Sequence, residues 1–156
     1  MEQIYEEYSK FIFHYLLSFT NNKELAEELM QETFYSAIKN MHKFKNDSSL
    51  KTWLCKIAKN KWIDYYKKSK KIEEIDIEQV NEHILWIHSM EEDYADKSEL
   101  MEVYKLDEKS KEVVYLKIKS EFSFKEIGYI MGKTEEWARV TFYRAKIKLK
   151  EELENE

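Results

Sequence analysis

Apolar side chains recur every three or four positions along most of this chain. Over residues 3–19 they fall at Ile4, Tyr8, Phe11, Ile12, Tyr15, Leu16 and Phe19, which predicts an amphipathic helix. Asn21 or Asn22 can cap the next helix, whose apolar set is Leu25, Leu29, Phe34, Ala37, Ile38 and Met41. Its opposite face carries Glu24, Glu27, Glu28, Gln31 and Glu32. After a basic loop, Lys43 to Asp47, one of Asp47, Ser48 or Ser49 can cap a third helix running from about Leu50 to Lys71. That helix turns Leu50, Leu54, Ile57, Ala58, Lys61 and Tyr65 to one side. Trp53, Lys56, Lys59, Asn60, Ile63, Asp64, Lys67 and Lys68 are spread over the rest.

Further on, Ile77, Val80, Ile84, Ile87 and Tyr94 keep a helical spacing over about 78–94, and a short helix is predicted over 98–106. The pattern is sharpest in the last third. A helix over 109–119 carries Val113, Val114, Leu116 and Ile118. Ser123 and Glu126 form a capping box that opens a short helix over 124–131, with Ile127 and Ile130 inward. Gly132 stands where the chain must turn, at a backbone angle that glycine adopts without a Cβ penalty. Thr134 caps a last helix over 135–152 with Ala138, Phe142, Ala145 and Leu149 on one face. A short helix, a glycine turn and a second, basic helix make a helix-turn-helix. The basic character comes from Arg139, Arg144, Lys146 and Lys148, with Trp137 and Tyr143 among them, which points to DNA.

Composition narrows the picture. The 156 residues include no proline, two glycines and one cysteine, and 37% are charged. So few turn formers argue against a many-stranded β fold, and the abundance of Lys, Glu, Leu and Ile favours helix. Gly128 and Gly132 cannot build a glycine-rich phosphate loop, and their G-x-x-x-G spacing in a charged context says nothing about membranes. Cys55 alone excludes an intrachain disulfide and a Cys-based zinc site, and beside the inward face of its helix it is expected to pack. No carboxylate precedes His14, His42, His83 or His88 at the spacing of helical di-iron sites. No catalytic constellation emerges, so the chain is read as not an enzyme, with no cofactor and no metal. No run of apolar residues is long enough for a membrane span, and the acidic start lacks the order of a signal peptide, so no membrane insertion and a cytoplasmic location are expected.

The net charge of −5 conceals an alternation. Residues 1–38 carry −5, 39–71 carry +9, 72–108 carry −11, 109–150 carry +6 and 151–156 carry −4. Two basic blocks with interleaved aromatics suit phosphate contacts, since lysines that neutralise phosphates release counterions.

These residues also carry a resemblance. Ala26 to Phe34 resembles the clamp-binding helix of bacterial RNA polymerase sigma factors. Phe44 to Leu54, followed by Ile57-Ala58-Lys59-Asn60 and Asp64-Tyr65, resembles the segment in them that reads and opens the −10 element. Leu106 to Leu149 is similar to their C-terminal helix-turn-helix, which reads the −35 element. Order, length and acidic separation resemble the extracytoplasmic-function (ECF) subgroup, which keeps only regions two and four.

The resemblance implies an all-α chain of two small helical domains joined by an acidic, partly helical linker: region two at 1–71, linker at 72–96 and region four at 97–156. It implies core RNA polymerase (β′ clamp helices and β flap) and promoter DNA as partners, and an anti-sigma factor as a further candidate. Glu28, Gln31, Glu32 and Tyr35 would bind the clamp. Asn46, Ser48, Trp53, Lys56, Asn60 and Lys67 would contact the −10 element. Arg139, Val140, Tyr143, Arg144 and Lys146 would contact the −35 element. The run Glu136 to Thr141 departs from the family's usual Gly-Thr-Val-Lys-Ser-Arg, and Asp107 stands where a proline is common, so no −35 sequence is carried over. The alternative reading is a stand-alone helix-turn-helix repressor or activator.

Overall fold

The computed structural model describes residues 2–46, 48–69 and 106–154, and every helix and turn among them is α-helical, 3-10 or irregular, with no strand. The expected helices at 78–94 and 98–106, the acidic linker and the last two residues of the third helix lie outside the described residues. The chain divides into two compact units, Met1–Glu82 and His83–Glu156.

In the first unit, α1 spans Glu2–Thr20, α2 Lys23–Lys39 and α3 Leu50–Ser69, with a 3-10 turn at Met41–Lys43. Each helix packs on the other two. Of the two asparagines, Asn22 makes the cap: its Oδ1 accepts from the Leu25 N–H at 3.1 Å. Ser49 begins α3, its Oγ accepting from the Thr52 N–H at 3.1 Å. Ile12, Tyr15, Leu16, Leu17, Leu29, Phe34, Leu54, Cys55 and Ala58 fill the core. The Cys55 thiol is buried, so it packs as expected. Thr33 is buried among them, and its hydroxyl donates to the Leu29 carbonyl at 2.7 Å, which satisfies it.

Two apolar positions assigned inward are not. Ile38 is 55% exposed and Tyr65 38% exposed. The buried arc of α2 runs through Ala26, Leu29, Met30, Thr33, Phe34 and Ala37, and at about 100° per residue Ile38 falls off its edge. Tyr65 lies one turn beyond Lys61 and two beyond Ala58, where burial in α3 stops. Met41 belongs to the 3-10 turn, not to α2.

In the second unit, α4 spans Glu108–Ile118, α5 Phe124–Met131 and α6 Glu135–Glu154. Val113, Val114, Tyr115, Leu116, Ile127, Ile130, Ala138 and Ala145 form its core. Burial in α4 stops at Leu116, and Ile118 closes the helix 39% exposed. The capping box is complete: the Glu126 N–H donates to Ser123 Oγ at 3.1 Å, and the Ser123 N–H donates to Glu126 Oε1 at 3.0 Å. Gly132 ends α5 at φ 68°, and the Lys133 N–H donates to the Gly128 carbonyl at 2.7 Å. Thr134 Oγ1 then accepts from the Trp137 N–H at 3.0 Å, which starts α6. Both glycines are needed at this turn. A Cβ on Gly128 would lie 2.8 Å from the carbonyl carbon and oxygen of Thr134. This close approach sets the angle between α5 and α6.

Asp107, at the position where the family commonly has proline, caps α4. Its Oδ1 accepts from the Ser110 N–H at 2.8 Å, and the Ser110 hydroxyl donates to Oδ2 at 3.0 Å. These bonds, with the Lys148 charge contributing, hold its carboxyl below the ordinary value of 3.8. A depressed folded pKa means that this carboxylate stabilises the unit fully above its unfolded value, and loses that effect as pH falls through the folded one. Asp107→Ala is expected to cost about 1 kcal/mol at neutral pH. Asp107→Asn keeps a capping oxygen and removes the acid-side dependence. Thermal melts at neutral pH and across the acid range check both.

Candidate nucleic-acid and polymerase interface

The loop from Phe44 to Ser49 and the outward side of α3 form one surface. Phe44 leaves the 3-10 turn in extended backbone, and its ring meets that of Trp53 with centroids 5.1 Å apart and planes tilted 38°. This pair joins the chain just before the loop to the first turn after it. Within the loop Asn46 is exposed at φ 58°, a left-handed conformation that asparagine tolerates better than most residues. Ser48 is half-buried, with its hydroxyl 3.5 Å from the Ser49 carbonyl.

Along α3, Trp53, Lys56, Asn60 and Lys67 are spaced three, four and seven apart. At about 100° per residue they fall within about 60° of one another, on the side opposite Leu54 and Ala58. The structure therefore gathers four of the six expected −10 residues on one stripe, with Asn46 and Ser48 in the loop that precedes it. Burial, and secondarily the Lys59 charge, hold the Lys56 ammonium below the ordinary lysine value. A cation already stripped of part of its water responds more strongly to an approaching phosphate.

On the side of α3 that meets α1, Lys51 Nζ lies 4.1 Å from the centroid of the Phe11 ring and Lys59 Nζ 5.2 Å from that of Phe19. Trp62 packs on Phe19 at 5.5 Å and on Tyr66 at 5.6 Å. These aromatic anchors tie the basic helix to α1. Trp62 escaped the sequence reading, although its three-residue step from Lys59 could have signalled it.

On α2, Glu28, Gln31, Glu32 and Tyr35 all face away from the core, and Tyr35 is 69% exposed. Ile38, one turn on from Tyr35, extends the apolar part of this face. Glu28 and Glu32 also line an open groove between α2 and α3 with Leu29, Lys61, Asp64, Tyr65 and Lys68. Gln31 and Tyr35 do not line it.

In the second unit the five expected −35 residues divide across α6. Val140 and Tyr143 take the centre of the outward face, Arg139 and Lys146 one edge, and Arg144 the other. Lys146, Arg144 and Tyr143 are exposed, and Arg139 and Val140 are half-exposed. Ile147, not singled out in the sequence, continues the central row at 58% exposed. Arg139 is engaged: its Nη2 donates to Glu135 Oε1 at 3.1 Å, and Nη1 lies 3.8 Å from Glu136 Oε2. Trp137 is half-buried under Lys133, whose Nζ is 5.8 Å from the ring centroid.

Among the described residues, no group of three His, Cys, Asp or Glu side chains could hold a metal ion, and no helix is long and apolar enough to cross a membrane.

Comparison with known proteins decides what this arrangement belongs to. The family described as Sigma-70 region 2 matches residues 4–72. The ECF RNA polymerase sigma factor SigM of Bacillus subtilis is 32% identical over 155 residues, covering 96% of this chain and 93% of that protein. The chain belongs to the ECF sigma factors. The RNA polymerase sigma factor YlaC of the same organism is 30% identical over 158 residues, covering 98% of this chain and 91% of that one. Among solved structures, the sigma factor RpoE of Bartonella quintana, in complex with the anti-sigma factor NepR, matches with a TM-score of 0.70 at 21% identity, over 98% of this chain and 96% of that one. As an ECF sigma factor the chain acts in transcription initiation, and the stand-alone repressor or activator reading is set aside. The region-two match takes in α1 from its third residue and the whole of α2 and α3, the elements that hold the Trp53 stripe and the Glu28–Tyr35 face.

Proposed function

We propose that this ECF sigma factor divides its work between three surfaces. The outward face of α2, with Glu28, Gln31, Glu32 and Tyr35, docks on the β′ clamp helices of core polymerase. The loop at Asn46 and Ser48 and the stripe Trp53, Lys56, Asn60 and Lys67 read and open the −10 element. The outward face of α6, with Arg139, Val140, Tyr143, Arg144 and Lys146, reads the −35 element while its unit meets the β flap. Residues 1–71 act as region two, 72–96 as the acidic linker and 97–156 as region four. The protein has no catalytic role of its own, works in the cytoplasm, and accepts an anti-sigma factor as a regulatory partner, as RpoE of Bartonella quintana does in its complex with NepR.

The observation that carries this division is the single stripe on α3 adjoining the Phe44–Trp53 clasp. Opening a duplex requires a basic track for the backbone and an aromatic face for an unstacked base, and this surface supplies both. The α2 face has a different chemistry, acidic with exposed Tyr35 and Ile38, which suits a protein partner carrying basic and apolar groups.

The division is tested by binding to core polymerase. Tyr35→Ala, an exposed aromatic at the centre of the face, is expected to weaken that binding about ten-fold. The double change Glu28→Lys, Glu32→Lys is expected to slow association most at low salt. Neither change should alter promoter preference in the holoenzyme that still forms. Wild-type affinity in both variants would place polymerase docking elsewhere on the chain.

A further inference from the structure

The strongest feature that the proposed division leaves unused is the set of groups around Arg139. Its guanidinium carbon lies 5.6 Å from the centroid of the Phe124 ring. Phe124 is the first residue of α5, so a ring from the first helix of the motif sits against a cation on the second. That ring is itself fixed. Lys117 Nζ lies over it at 4.2 Å and also donates to the Phe122 carbonyl at 3.2 Å. Phe142 and Tyr143 pack on it at 5.7 and 5.9 Å. On the other side Glu135 Oε1 accepts from Arg139 Nη2 at 3.1 Å, one helical turn earlier. The spacing between α5 and α6, which carry Phe124 and Glu135, is set by the Gly128–Thr134 approach.

We infer that Phe124 and Glu135 are positioning residues that aim the Arg139 guanidinium at a guanine of the −35 element. The inference rests on the proposed −35 reading by α6. An arginine side chain is long and flexible, and immobilising it on binding costs affinity. Holding its rotamer in the free protein moves that cost out of the binding step. Glu135 occupies only one of the two N–H groups on Nη2. Glu136 Oε2 stands 3.8 Å from Nη1, beyond hydrogen-bond distance, so the other N–H groups can still turn to guanine O6 and N7 in the major groove. A carboxylate so near DNA would otherwise repel phosphate. Pairing with Arg139 neutralises it and gives it a role.

The test uses the holoenzyme, formed from core polymerase and this chain, and a promoter library randomised upstream of a fixed −10 element. Wild type is expected to enrich guanine at one −35 position, and Arg139→Ala to erase that enrichment alone. Phe124→Leu and Glu135→Gln are each expected to lower the guanine preference at that same position about two- to ten-fold, the ordering cost of one such side chain. Preferences at the other −35 positions should hold in Glu135→Gln, and in Phe124→Leu at all but the position read by Tyr143, which packs on the same ring. Phe124→Tyr, which keeps the ring, should restore the guanine preference. Glu135 is half exposed, so Glu135→Gln tests the idea even if Phe124→Leu disturbs the fold. A wild-type guanine preference in both Phe124→Leu and Glu135→Gln, with Arg139→Ala still erasing it, would overturn the positioning role and leave the −35 reading standing. So would an equal loss at every −35 position in both, which is what a merely structural role gives. No upstream preference in wild type, and no effect of Arg139→Ala, would overturn both together.

Discussion

Trp53→Ala should lower the rate of open-complex formation by about ten- to a hundred-fold while leaving the holoenzyme able to bind closed promoter DNA. The range follows from base–aromatic stacking, about 1–3 kcal/mol per base. Two consequences of the change add. The indole that would face an unstacked base disappears, and Phe44 loses the ring it meets at 5.1 Å. Phe44 and Trp53 bracket the loop that holds Asn46 and Ser48, so the loop loses the contact that joins its ends. Trp53→Phe keeps an aromatic face and a partner for Phe44, and should fall between. Trp53 is half-buried, so the change should cost far less stability than truncating Leu54, which is fully buried. Permanganate reactivity of −10 thymines, followed in time, separates opening from binding. Opening at the wild-type rate in Trp53→Ala would assign this side chain to packing alone.

Gly128→Val is expected to destabilise the second unit by about 3 kcal/mol, at the upper end for overpacking. The atoms that a Cβ would meet are backbone: Thr134 C and O at 2.8 Å and Lys133 O at 2.9 Å. A flexible side chain could swing away, but a carbonyl that leads into α6 cannot move without opening the turn. The bond from the Lys133 N–H to the Gly128 carbonyl would go with it. Gly132→Ala is the milder comparison. It places a Cβ at φ 68°, which costs about 1–2 kcal/mol without a steric wall. Melting temperatures should therefore fall in the order wild type, Gly132→Ala, Gly128→Val. Promoter binding that depends on upstream sequence should fail in Gly128→Val. A melting temperature of Gly128→Val equal to that of wild type would contradict the close packing of α5 on α6.

The contrast between these two glycines explains what could be read in advance. Gly132, Ser123, Glu126, Thr134 and Asn22 act on their own neighbours in sequence, so their roles as turn and caps are visible in a string of letters. The demand on Gly128 comes from the backbone of Thr134 after the chain has turned, and no local pattern records it. The same distinction governs the apolar positions. Ile12, Leu16, Leu54, Ile127 and Ala138 are buried as their period predicts. Ile38 falls just off the buried arc of α2, and Tyr65 and Ile118 lie beyond the last buried residue of their helices, Ala58 and Leu116. Choosing Ser49 over Asp47 or Ser48 as the cap of α3 depends on where the first turn begins, and three adjacent cappers leave that undecided in sequence.

For the functional surfaces, helical spacing places Trp53, Lys56, Asn60 and Lys67 together, and the family resemblance supplies a reason to look there. The Glu135–Arg139 pair is legible as a four-residue step. The third member of that group, Phe124, comes from another helix, and only the folded unit brings it to Arg139. Charge behaves likewise. The net −5 looks adverse to nucleic acid until it is divided by segment, and the +9 block then falls largely on α3.

The most direct measurement is run-off transcription from genomic DNA by core polymerase with and without this chain, with every start site mapped and the wild-type chain set beside Trp53→Ala. The account predicts a limited set of new start sites with the wild-type chain, sharing a −10 and a −35 element at constant spacing, and their loss with Trp53→Ala. Absence of new start sites with the wild-type chain, or the same set at undiminished strength with Trp53→Ala, would contradict it.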